Sequence, residues 1–152
     1  MSPPGKPRPA AQAHPTLDLD HFLPYRLSVL SNRISSAIAR EYSQRFALGV
    51  TEWRVMAVLA RYPGLSASKV ALRTAMDKVA VSRAVARLLE AGRIEREFDA
   101  DDRRRSVLEL SEAGYGIFDE VVPLALGRER ALLSHFSEED RRQLDVLLSK
   151  LD

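Results

Sequence analysis

Apolar residues recur at intervals of three and four along the first third of the chain. Leu23, Leu27, Leu30, Ile34 and Ile38 form one such stripe, the spacing of a helix with one buried face. Pro24 stands near its start, where a missing N–H is harmless. The pattern runs to about Phe46, and Gly49 ends the connection. Trp53, Val55, Met56, Val58 and Leu59 mark a second helix, with Thr51 as its N-cap and Pro63-Gly64 as its stop. A third helix opens at Ser66 and turns Val70, Ala71 and Leu72 inward. A fourth opens at Asp77, whose carboxylate also sits at the positive end of the helix dipole. Val81, Val85, Leu88 and Leu89 form its inner face, and Gly92 suits the left-handed residue beyond a helix end.

The period then changes. Arg93–Phe98 and Ser106–Leu110 read as two strands of a hairpin, with weak alternation and an arginine-rich tip. Ser111-Glu112-Ala113-Gly114 opens a long fifth helix carrying Ile117, Phe118, Val121, Val122, Leu124, Leu126, Leu132 and Leu133. Pro123 is predicted to kink it. Ser137-Glu138-Glu139-Asp140 signals a sixth helix, with Asp140 at its third position and Leu144, Leu147, Leu148 and Leu151 along one face. Ahead of all this, Pro3, Pro4, Pro7, Pro9 and Pro15 leave little to bury. Residues 1–16 are expected to be a disordered arm, on which Lys6 and Arg8 are solvated cations, the alternative being nonspecific contact with DNA.

These elements predict a mainly α fold with a small β-hairpin wing. Residues 49–111 form a winged helix-turn-helix lobe, flanked by a helical dimerisation region at 17–48 and 112–152. The first helix is long for a segment that covers one small core, so part of it is expected to meet a second chain. The first, fifth and sixth helices supply the apolar surface for that homodimer.

Charge sharpens the picture more than composition does. The chain is 45% hydrophobic and 29% charged, an ordinary globular balance, with a net charge of only +2. The distribution is uneven. Lys69 to Arg105 holds ten Lys/Arg against seven Asp/Glu, and Ser106 to the end holds five against ten. A basic centre followed by an acidic tail suits a chain that turns one region to phosphate. Cysteine is absent, which removes disulfides, thiol catalysis and cysteine-bound zinc, and fits a cytoplasmic location. No run of about 18 apolar residues exists to span a membrane, and the N-terminus lacks a signal-peptide core.

A helix fits the major groove, and a basic ribbon beside it reaches the backbone or minor groove. Lys78, Val79, Ala80, Ser82, Arg83 and Ala86 lie off the buried face of the fourth helix. Arg83 is the first choice for base readout, because a guanidinium pairs with guanine O6 and N7. Val79 or Ala80 suits a thymine methyl. Lys78 and Arg87 suit phosphates, as do Ser66 and Ser68 at the start of the third helix. The competing reading is a solvated face with Arg87 paired to Glu90. On the hairpin tip, Asp102 and Arg104 are two apart, so the carboxylate can hold the guanidinium extended, with Arg103 between them. Asp99-x-Asp101 begins like a calcium loop but fails as one: its sixth position is Arg104 and its twelfth Leu110. A two-fold dimer would set two such helices about one DNA turn apart and read a palindromic operator in double-stranded DNA.

Three linked motifs carry a resemblance. They are Asp77-Lys78-x-x-Val81-Ser82-Arg83-x-Val85-x-Arg87-Leu88-x-x-x-Gly92, Asp99-x-x-Asp102-Arg103-Arg104, and Leu110-Ser111-x-x-Gly114. From Leu19 to Leu151 the chain resembles the MarR family of winged helix-turn-helix transcription regulators. The resemblance implies that Arg104 enters the minor groove and that Asp102, Arg103 and Arg104 act together at the wing. Leu23-Pro24-Tyr25-Arg26-Leu27-Ser28 and Glu52-Trp53-Arg54 also look like the branch that senses hydroxycinnamates or their coenzyme A thioesters. That likeness implies a small aromatic acid or acyl-CoA effector between the first, second and fifth helices, lined by His21, Tyr25, Arg26, Ser28, Asn32, Trp53 and Met56, with Arg26 on its carboxylate or phosphate. Two departures stand out. Arg93 replaces the usual apolar residue, and Val79 and Ala80 replace small hydroxyl residues, which removes two polar base readers.

The expected function is a DNA-binding repressor released by its effector. A ligand-independent regulator and a winged-helix module that binds protein instead of DNA are the alternatives. His14, His21 and His135 are scattered, and neither metal-ligand spacing nor a glycine-rich phosphate loop occurs. No enzyme, cofactor or metal is therefore expected.

Overall fold

The computed structural model describes residues 14–102 and 104–152. The arm up to residue 13, with Lys6 and Arg8, and the wing residue Arg103 lie outside the described residues. Two compact units divide the chain, Met1–Arg33 and Ile34–Asp152. The first unit contains a 3-10 turn at Leu19–His21 and the beginning of helix α1, Leu23–Phe46. In this unit Leu23, Leu27 and Leu30 are 45%, 40% and 49% exposed, so the predicted stripe forms but is uncovered there.

In the second unit α1 is followed by α2 (Val50–Arg61), α3 (Ala67–Thr74), α4 (Lys78–Glu90), strands β1 (Ile94–Phe98) and β2 (Ser106–Leu110), α5 (Glu112–Leu132) and α6 (Glu138–Ser149). The strands pair antiparallel, with Ile94 opposite Leu110 and Phe98 opposite Ser106. An isolated bridge from Leu65 to Leu108 ties the connection before α3 to the hairpin. The core joins Tyr42 of α1, Val55, Met56 and Leu59 of α2, Val70 and Ala71 of α3, and Val81, Ala84, Val85 and Leu88 of α4. Ile94, Leu108 and Leu110 of the hairpin and Val121 of α5 complete it. Full burial of each larger aliphatic side chain contributes about 1.5–3 kcal/mol, which makes the helix-turn-helix and hairpin one packed body.

Local chemistry starts the helices. Ser66 Oγ accepts from Lys69 N–H at 3.3 Å, and Asp77 Oδ2 accepts from Ala80 N–H at 2.9 Å. Ser137 and Asp140 form a reciprocal box, at 2.9 and 3.1 Å. Hydrogen bonding of the Asp140 carboxylate to the Ser137 backbone N–H, and secondarily to the Ser137 side chain, holds its pKa below the usual value. The second helix corrects the sequence reading. Its N-cap is Gly49 and not Thr51, because the Glu52 carboxylate accepts the Gly49 N–H at 3.2 Å and closes the first turn two residues earlier.

Two further corrections concern burial. Leu72 is 82% exposed instead of inward. Val70, Ala71 and Thr74 take the inner side of the short α3, and the helical turn carries position 72 outward. On α4 the small Ala84 is fully buried, whereas Leu89 is only half-buried. Pro123 lies inside a single unbroken α5.

A tight joint links the hairpin to α5. Ser111 caps α5 by accepting from Gly114 N–H at 3.0 Å, and its hydroxyl donates to the Gly92 carbonyl at 2.6 Å. Glycine is required at 114, because a Cβ there would lie 2.0 Å from the Arg93 carbonyl oxygen.

Candidate nucleic-acid interface

Helix α4 separates its faces sharply. Val81, Ala84, Val85 and Leu88 are buried. Lys78, Val79, Ser82, Arg83, Ala86, Arg87 and Glu90 are exposed, and Ala80 is half-buried. The buried set anchors the helix in the core, and the exposed set follows helical spacing along one side. The Asp77 cap closes the first turn through the Ala80 N–H. Val79, 56% exposed, puts a large apolar side chain on this mainly polar face.

Arg87 has a protein partner that sequence reasoning missed. Its Nη1 stands 3.5 Å from Glu52 Oε1 rather than against Glu90. Glu52 is 8% exposed, so the pair joins the start of α2 to the last turn of α4. A second link runs through Arg54. Its Nη2 donates to Ser35 Oγ at 2.6 Å, and its Nη1 lies 4.0 Å from Met76 Sδ, one residue before the Asp77 cap. The sequence held no signal for either, because contacts across 35 and 19 residues leave no local pattern.

The wing carries the second set. Asp102 Oδ1 accepts from the Arg104 N–H at 3.0 Å and from Arg104 Nε at 3.4 Å. Asp102 also lies 4.0 Å from Arg105 Nε. The carboxylate thus braces the tip while the Arg104 side chain stays 94% exposed. Between the wing and the start of α3 lies an open cleft of about 890 Å³, lined in part by Ser66, Ser68, Lys69, Phe98, Arg104 and Arg105. Ser66 and Ser68 therefore share a surface with the wing arginines. Lys69, Phe98 and Arg105 join them without having been singled out in the sequence.

The predicted effector residues fall in both units. In the first, His21 Nδ1 lies 2.7 Å from Asp18 Oδ2, and Tyr25, Arg26, Ser28 and Asn32 are exposed on α1. Tyr25, Ser28 and Asn32 share one helical face by spacing. In the second, Met56 is fully buried in the core. Trp53 is half-buried, its ring 5.8 Å from Tyr42 and 5.7 Å from Phe118 between centroids. Burial pushes the Tyr42 hydroxyl up to about 12, the Arg54 charge opposing the shift.

Among the described residues no helix is long and apolar enough to cross a membrane, and no group of three or more His, Asp or Glu could hold a metal ion.

The sequence profile of the MarR family matches residues 48–105, the segment from the start of α2 to the wing. The chain is 32% identical to the crystal structure of a MarR/EmrR family transcriptional regulator from Acinetobacter sp. ADP1. The likeness covers 89% of this chain and 95% of that one, with a TM-score of 0.81. The chain belongs to the MarR family. It is also 28% identical to the HTH-type transcriptional regulator PecS of Dickeya dadantii (strain 3937), over 91% of this chain and 85% of that protein. The HTH-type transcriptional regulator BilQ of Clostridium symbiosum (strain WAL-14163) is 32% identical over 61% of this chain and 65% of its own length. This MarR-family chain is thus a DNA-binding regulator of transcription, not an enzyme. The family's winged helix-turn-helix, six helices and a two-stranded hairpin, is the fold described above.

Proposed function

We propose that the chain acts as a homodimer on a palindromic operator and represses transcription until a small aromatic or acidic effector releases it. The observation that carries this reading is α4: four buried residues fix it in the core, and its opposite side offers Lys78, Ser82, Arg83 and Arg87. Arg83 reads a guanine edge from the major groove, Val79 and Ala80 meet a thymine methyl, and Ser82 and Ala86 allow close approach. Lys78, Arg87, Ser66 and Ser68 hold phosphates and set the register. The braced Arg104, with Arg103 beside it, enters the minor groove, where narrow A·T tracts attract arginine.

Pairing of two chains is supported by uncovered apolar surface. No residue of α6 is buried; its Leu147 and Leu148 are 58% and 49% exposed, and Leu151, just beyond its end, is 58% exposed. A second copy would remove these side chains from water. The effector acts if it binds two spacings of the paired lobes with different affinity. Hydroxycinnamates or their coenzyme A thioesters suit the aromatic, polar and cationic groups of His21, Tyr25, Arg26, Ser28 and Asn32 in the first unit; Trp53 and Met56 serve the core of the second.

Selection of duplexes from a random library, followed by anisotropy titration, tests the DNA part. A two-fold sequence with half-sites about one helical turn apart is expected; no affinity for any double-stranded DNA ends the proposal. Adding hydroxycinnamates and their thioesters to the selected complex tests the effector part. A weakened complex is expected, and unchanged affinity with every compound removes that branch of the reading.

A further inference from the structure

Arg93 follows Gly92, whose φ of 69° turns the chain out of α4. The Arg93 backbone is held on two sides. Its N–H donates to the Leu88 carbonyl at 2.9 Å, and its carbonyl accepts from the Ser111 N–H at 3.1 Å. The same carbonyl is the atom that forbids a side chain at Gly114. Position 93 is therefore built into the joint of α4, the hairpin and α5.

Its side chain leaves that joint. The guanidinium Nη2 donates to the carbonyl of Phe46, the last residue of α1 and 47 positions away. That carbonyl is one of the terminal four that have no partner inside their own helix. The next residue, Ala47, has φ 48°, a left-handed conformation that favours glycine. Helix α1 thus ends without the usual glycine, and a cation from elsewhere in the fold supplies the donor. Positive charge is also what the negative end of the helix dipole favours. An apolar side chain at 93 could fill the joint, but it could not bond to Phe46.

We propose that Arg93 is a positioning residue that locks the end of α1 to the end of α4, so that the angle of α1 in the dimer fixes the separation of the two recognition helices. This rests on the dimeric DNA-binding reading above. Without the lock, α4 still reads its half-site, but the distance to its partner copy is no longer set. A cap that merely stabilises α1 would alter stability and leave the preferred spacing untouched.

The test uses full-length wild type, Arg93→Met and Arg93→Lys on selected duplexes whose half-site separation is changed by single base pairs. Wild type is expected to prefer one separation. Arg93→Met is expected to lose about fivefold or more of that preference while keeping the same half-site sequence. Arg93→Lys, which retains a donor and a charge, restores it. If Arg93→Met does not fold, Arg93→Gln, too short to reach Phe46, takes its place against Arg93→Lys. Equal spacing preference in wild type and the folded non-reaching variant overturns the lock alone. A wild-type chain that selects no spaced palindrome overturns the dimeric reading and the lock together.

Discussion

Arg83 and Lys78 share the exposed side of α4, but their removal should fail in different ways. Arg83→Ala should cost about 1–3 kcal/mol on cognate DNA and relax one base position. Equal loss on random DNA would disprove base readout. Lys78→Ala should weaken all duplexes alike and reduce the steepness of the salt dependence by roughly one counterion, with the preferred sequence unchanged; binding isotherms at several salt concentrations decide. Tyr42 gives a pH prediction. Its folded pKa of about 12 lies above the ordinary 10.0, so the unfolded chain loses this proton first. The contribution is intact below pH 10 and is lost as pH rises toward 12, a fall of about 2–3 kcal/mol. Urea unfolding of wild type and Tyr42→Phe across that window should show the difference; parallel curves would reject it.

At the scale of elements, the start of α4 is where sequence and function meet. Asp77→Ala should cost about 1 kcal/mol of stability and lower affinity on every duplex without changing base preference, read by thermal unfolding and titration together. A changed preference would mean that Asp77 does more than hold the first turn. Such caps were legible because they are local: Ser66, Asp77, Ser111 and Ser137 each bond within three residues of themselves. The hairpin was legible through Gly92 and its arginine tip more than through alternation. Thr51 misled because a threonine before an apolar run imitates a cap; the Glu52 carboxylate, aimed back at Gly49, decided the start. Leu72 misled because a run of three apolar residues, Val70-Ala71-Leu72, cannot all face inward from one short helix. Glu52 with Arg87, and Arg93 with Phe46, were not legible at all. Their partners are 35 and 47 positions apart, and only folding brings them together.

For the whole molecule, the uncovered apolar residues matter most. The core of the second unit is complete within one chain, but α6 buries nothing. A charge on that surface should oppose pairing while leaving the helix-turn-helix core intact. Leu147→Glu combined with Leu151→Glu should therefore give a folded monomer with greatly weakened operator binding. Sedimentation velocity and circular dichroism distinguish this from misfolding, and a double variant that still forms dimers would move the pairing surface elsewhere. Because association stabilises only the folded partner, unfolding midpoints of wild type should also rise with protein concentration.

An α6 that depends on a second copy for cover also bears on how long the regulator survives in a cell. Single chains would display a greasy, loosely held C-terminal segment to housekeeping proteases, whereas couples would conceal it. Turnover would then slow as the pool grows, giving scarce molecules the shortest lifetimes. Pulse-chase decay at low and high expression would reveal that dependence, and identical half-lives would remove it.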